Sequence, residues 1–159
     1  MSLQRRILFA AIMLILSVGR AFPYNIRCFA RRNVPEEFKQ ATVIFSGTAI
    51  AEEYKEPKLR NDWESKGSKR LVVKFEVERW WKGSNEKEVE LYTSETKLTD
   101  GTTWFMAEDY RFQVGQKYLI YAFGPTEQLR TNVCTRTAKW EEAKEDLQEL
   151  GEGKMPEKK

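Results

Sequence analysis

The sequence predicts a mainly-β fold, one small barrel closed by a helix, and three observations predict it. Five stretches either alternate apolar and polar residues with a period of two or run apolar on both faces, as strands do. The first of them carries Gly47 in its interior, the mark of a bulge or a sharp bend. After the fifth, the apolar period changes to three and four in TAKWEEAKEDLQELG, as in an amphipathic helix. Together these features fit a five-stranded Greek-key barrel of the OB type, with a short N-terminal helix and a C-terminal amphipathic helix. A β-sandwich is the alternative, and it requires about seven strands.

The elements follow in order. Residues 22–34 read as extended. PEEFKQA, 35–41, reads as a short helix, because Pro35 suits a first turn and Glu36 and Glu37 complement the N-terminal dipole. TVIFSGTAIAEEY, 42–54, is a long strand with Val43, Phe45, Gly47, Ala49 and Ala51 on one face. Residues 55–69 form a polar loop. RLVVKFEVERWW is a half-buried strand in which Leu71, Val73, Phe75 and Val77 alternate with Val72, Lys74, Glu76 and Glu78. At its end Trp80 and Trp81 point to opposite faces.

Lys82-Gly83-Ser84-Asn85 makes a turn into KEVELYTS, 87–94, with Val89, Leu91 and Thr93 inward. Residues 95–112 are irregular around Asp100-Gly101. KYLIYAF, 117–123, is apolar on both faces and so reads as a central strand, stopped by Gly124-Pro125. QLRTNVC, 128–134, is the last strand. In the closing helix Trp140, Ala143, Leu147 and Leu150 form a stripe to pack on the sheet, and Gly151 is a natural stop. The tail 152–159 is polar and is expected to be disordered.

The first residues bear on where the protein works. MSLQRR, an apolar run ILFAAIMLILSV and the small-x-small ending Gly19-Arg20-Ala21 form the pattern of a secretory signal peptide over 1–21. The apolar run falls short of the roughly 20 residues a membrane span needs, and no later segment is apolar enough to serve as one. The expected location is therefore secreted or periplasmic. Residues 1–21 hold Arg5, Arg6 and Arg20 and no acid, so without them 24 basic residues stand against 24 acidic ones. No positive surplus remains for a nucleic-acid partner. The remaining length suits one domain, 22–151. Two cysteines, Cys28 and Cys134, in an exported chain suggest one disulfide.

Most catalytic chemistry lacks its residues. The chain has no histidine, the commonest general base and zinc ligand. Two distant cysteines cannot build a CxxC…CxxC site, and no GxSxG, P-loop or GxGxxG occurs. The acidic pairs Glu52-Glu53, Glu141-Glu142 and Glu145-Asp146 read as solvated faces. No metal or cofactor site and no enzymatic activity are expected. At Cys28, Asn25 and Arg27 argue against lipidation, which needs small and apolar residues before the cysteine, and a metal site would need companion ligands.

Several stretches, in order, carry a resemblance: Cys28 near the mature start, ATVIFSGTA at 41–49, VKFEVERWWKG at 73–83, FQVGQKYLIYA at 112–122 and LRTNVCTRTAKWEEAKEDLQELG at 129–151. This set resembles the tissue inhibitors of metalloproteinases (TIMP) and their netrin-like OB-fold relatives, above all exported bacterial TIMP-like proteins. It spans about 28–151. The resemblance implies an OB barrel with helices packed on it and a disulfide from Cys28 to Cys134. In inhibitors of this family the mature chain starts Cys-x-Cys, and the free amine and carbonyl of the first cysteine chelate a protease's zinc. Here Ile26 stands in that place and Cys28 matches the second cysteine. The first cysteine's partner would fall in 95–112, near GTTWFMAE, where none occurs. Cleavage after Ala21 would also leave FPYNI ahead of the chelating position. Both departures count against zinc chelation.

The expected function is a secreted, non-catalytic binding module for a protein ligand, which the resemblance implies to be metalloprotease-like, contacted through an edge at Ile26, Arg27 and Phe29. The alternative is a structural or accessory protein of the cell envelope without a discrete ligand. The oligomeric state and the ligand's identity are left open.

Overall fold

The computed structural model describes Cys28, residues 32–59 and residues 66–157. The expected signal peptide, 1–21, and the edge residues Ile26, Arg27 and Phe29 lie outside the described residues. The fold is mainly β: among the described residues six antiparallel strands form one sheet, curled into a half-barrel, with two short helices. The first helix, α1 (Val34–Gln40), starts where the Asn33 side chain accepts from the Glu36 N–H at 2.9 Å. The Glu36 carboxylate in turn accepts from the Asn33 N–H, closing a capping box.

The strands are β1 (Val43–Lys55), β2 (Lys69–Lys82), β3 (Glu88–Lys97), β4 (Thr103–Trp104), β5 (Lys117–Ala122) and β6 (Ala138–Lys139). Their order across the sheet is β4-β3-β2-β1-β5-β6. β1 is central and bent. Its first half pairs on both sides, Val43 with Ala122 of β5 and Phe45 with Trp80 of β2. Beyond Thr48 the β5 ladder ends; Ala49 still bonds the turn before β5 at Gly115 and Gln116, and past it β1 runs on with β2 alone. Between Ser46 and Gly47 the β2 register slips, as the glycine predicted. A Cβ on Gly47 would lie 2.6 Å from the Glu76 carbonyl oxygen, so only glycine lets the two backbones approach this closely.

The curl separates two apolar clusters. Inside it, Val43, Phe45, Val73, Phe75, Leu91, Phe112, Tyr118 and Ile120 are buried together. Their rings meet edge to face, Phe75–Phe112 at 4.9 Å and Phe112–Tyr118 at 5.0 Å. Outside it, Ile44, Leu119, Tyr121 and Ala143 are buried, with Leu147 and Leu150 packed on them. β5 is therefore buried on both faces, as its sequence predicts. Trp80 enters the inner cluster, and Trp81 packs against the outer one.

Four segments differ from expectation. The predicted last strand, 128–134, is a 3₁₀ turn (Thr126–Gln128) followed by an extended stretch with isolated bridges. Phe123 and Arg130 exchange backbone bonds at 2.8 and 2.9 Å, and the Tyr92 N–H of β3 donates to Leu129 at 2.8 Å. The closing helix is shorter than its apolar stripe. Ala138–Lys139 pair with β5 and Trp140–Glu142 make a 3₁₀ turn, so the α-helix, α2, covers only Lys144–Leu150. It ends at Gly151 with φ +67°. The tail expected to be disordered is in place through Glu157. β2 outruns β3, and Lys154 takes the open edge, exchanging both backbone bonds with Trp80 at 2.8 Å. Within residues 95–112, expected to be irregular, β3 continues to Lys97 and β4 pairs with it at Thr96 and Lys97.

Candidate partner-binding edge

The resemblance motifs CTRT and DL meet in a buried polar knot beneath α2. The Tyr121 hydroxyl donates to Asp146 at 2.9 Å, and the Arg136 guanidinium donates to both its carboxylate oxygens, at 2.7 and 2.5 Å. Asp146 is therefore a buried partner, in contrast to the solvated face predicted for it. Burial first, and then the Asp146 charge, push the Tyr121 phenol far above its ordinary range. The Arg136 guanidinium is raised as well, chiefly by its hydrogen bonds to Asp146. Thr131 and Thr137 both donate to the Tyr121 carbonyl, at 2.9 and 3.2 Å. With every polar group satisfied, this knot is a structural device.

The knot fixes the turn that carries Cys134. Cys28 and Cys134 form a disulfide with Cα atoms 5.3 Å apart, uniting the two predicted cysteines. The Asn132 side chain accepts from the Cys134 N–H at 2.9 Å. Arg136 also donates to the Arg32 carbonyl at 2.9 Å, a second tie to the N-terminal segment. Val133, 39 % exposed, donates its N–H to the Glu108 carbonyl at 2.8 Å. Glu108 ends a loop whose Trp104, Phe105 and Met106 are exposed. Asp109 anchors that loop by accepting from the Ser94 N–H and hydroxyl. The N-terminal segment at Cys28, the Val133 turn and the 104–108 loop thus share one edge.

Beside this edge, where β1 runs past β5, the half-barrel opens into a cavity of about 330 Å³. Its floor is Val73 and Phe112, both buried in the inner cluster. At its rim stand Glu52, Tyr54, Glu95, Phe105 and Arg111. Tyr54 donates its hydroxyl to Glu95, and this bond, ahead of burial and the nearby carboxylates, pushes its phenol up to about 12. Arg111 lies over the Phe105 ring at 5.4 Å. The cavity was not legible in the sequence, since Tyr54 and Glu95 meet only through the register of β1, β2 and β3. The one available signal was the exposed run Trp104-Phe105-Met106 after a turn at Asp100-Gly101.

Among the described residues no group of three or more His, Cys, Asp or Glu is arranged to hold a metal, and no helix is long and apolar enough to cross a membrane. No protein-family model matches the chain, and no curated protein matches it.

Proposed function

We propose that the protein is an exported, non-catalytic binding module of TIMP-like type that engages a protein partner through the edge built around Cys28, Val133 and the 104–108 loop. The observation that carries this reading is the disulfide. It holds the N-terminal segment against a turn hydrogen-bonded to a loop of exposed apolar side chains. An edge assembled from three remote segments and fixed by a covalent staple is preorganised, which lowers the entropic cost of docking. Ile26, Arg27 and Phe29 extend the edge in this reading, and the leader 1–21 is removed on export to the periplasm or medium.

The same reading takes the half-barrel as an OB-type barrel, with residues 129–132 as its fifth strand. The Tyr92–Leu129 and Phe123–Arg130 backbone bonds support it, because they tie that stretch to β3 on one side and to the chain just past β5 on the other. Two departures count against partner binding by zinc chelation: Ile26 stands in place of the first cysteine, and cleavage after Ala21 would leave residues ahead of the chelating position.

The test has two parts. Intact mass of the exported protein, with and without reductant, defines its N-terminus and its bond. Inhibition of zinc proteases and capture of partners are then compared for the wild type, Met106→Glu and Val133→Glu. Loss of binding in both variants with the fold unchanged supports the edge. Undiminished binding in both removes it.

A further inference from the structure

Building on the reading as a binding module, we propose that the cavity at the mouth of the half-barrel receives an arginine side chain of the partner. The cavity is walled by aromatic faces and carboxylates in the combination that suits a guanidinium. Tyr54 and Phe105, 38 % and 51 % exposed, offer π faces at the rim, and Glu52 and Glu95 supply negative charge beside them. Asp109 also lines it, with its oxygens engaged by Ser94. Among the described residues, Arg111 is the sole cation lining the cavity, against three carboxylates. Arg111 itself lies over Phe105, so this wall already takes a guanidinium from within the chain.

Charge left open beside aromatic faces sets this cavity apart from two others of similar size: the one lined by Glu76, Glu86, Glu88 and Glu157 has carboxylates but no aromatic side chain among the described residues. Glu52 makes no hydrogen bond or ion pair among the described residues, and Glu95 uses one carboxylate oxygen to accept from Tyr54. The cavity beside the opposite end of β1, about 510 Å³, also has carboxylates in its wall. There Lys74 pairs with Glu88 at 2.7 Å and Lys55 with Glu90 at 2.5 Å, so much of that charge is already neutralised. At the mouth, net negative charge faces an open space with an apolar floor. A planar cation can stack on Phe105 or Tyr54 while its edge donates to Glu52 and Glu95, which a compact ammonium does less well. A neutral saccharide would leave the excess charge unanswered.

The test uses the full folded protein, isotope-labelled, titrated with N-acetyl-arginine methylamide and, separately, with its citrulline counterpart, which keeps the shape and loses the charge. The expected result is saturable shifts at Tyr54, Glu95 and Phe105 with the arginine probe and about tenfold weaker binding of the citrulline probe. Glu52→Gln and Glu95→Gln should each weaken the arginine probe by about threefold to tenfold while leaving the spectrum folded. Equal binding of the two probes, shifts centred on Glu86–Glu90, or no saturable shift at the mouth would each overturn the proposal. If that happens while Met106→Glu and Val133→Glu still abolish partner capture, the binding edge stands and only the arginine cavity falls. If neither cavity nor edge variants affect partner capture, the edge falls with the cavity.

Discussion

Arg136 and Asp146 meet as a two-point pair under α2, with Nε to Oδ2 at 2.7 Å and Nη2 to Oδ1 at 2.5 Å. Both side chains are largely removed from solvent, at 14 % and 7 % exposure. Removing one partner would leave a buried charge without its counter-ion. Asp146→Ala should therefore destabilise the fold by about 3–5 kcal/mol, read as a shift in urea midpoint. Leu147→Ala, at the packed face of α2, controls for loss of helix packing alone. A negligible effect of Asp146→Ala would mean that the pair is not the tie described here.

The disulfide spans 106 residues of sequence. Loop-closure entropy assigns a loop of that size about 4–5 kcal/mol. The double variant Cys28→Ser, Cys134→Ser should lose stability of that order in denaturant unfolding, with the sheet retained by circular dichroism. The oxidised wild type should carry no titratable thiol.

Gly47→Ala should destabilise the protein by about 1–3 kcal/mol, because the new methyl group meets the Glu76 backbone at 2.6 Å and neither strand is free to retreat. Gly101→Ala tests the contrast. A Cβ there meets nothing within 4 Å, and the cost comes only from its φ of +88°. Thermal unfolding of the pair separates steric from conformational cost. An unaffected Gly47→Ala protein would contradict the close approach of β1 and β2.

Stability should fall at alkaline pH, and the sign follows from Tyr121. Its phenol is raised in the folded state by burial and by Asp146, while the unfolded chain titrates near 10.0. The associated stability is complete below that pH and is lost as pH rises above it, at roughly 1.4 kcal/mol per pH unit for one group. Tyr118 and Tyr92, also raised chiefly by burial, act in the same direction. Urea unfolding on either side of pH 10 measures the slope, and Tyr121→Phe should flatten it. A midpoint constant across that range would refute the assignment.

Elements set by a local rule were legible in the sequence. Alternation placed β1, β2 and β3, the glycine marked the bend, and adjacent Trp80 and Trp81 had to diverge because successive strand residues do. The two cysteines were paired through the family resemblance. What escaped depends on remote geometry. The stripe Trp140, Ala143, Leu147, Leu150 has helical spacing, but pairing of Ala138–Lys139 with β5 uses up the start of that segment before an α-helix can begin. Asp146 sits among charged neighbours, and its burial follows from Arg136 on the adjoining turn and Tyr121 of β5, both remote from it in sequence. Lys154 holds the tail through one backbone bridge, which leaves no periodic trace. The mouth cavity takes its walls from β1, β2, β3 and the 105–112 segment, and no single stretch displays it.

The two-sided pairing of β1 also orders events in time. Its C-terminal half needs only β2, a neighbour in sequence, so a β1–β2–β3 meander can form from nearby chain. Val43–Thr48 must wait for β5, far downstream, to take its other edge. That segment reads VIFSGT, uncharged, free of proline and β-prone, the composition that self-associates when an edge stays open. The arrival of β5 is thus the step at which productive folding competes with aggregation, and crowded refolding should fail there first.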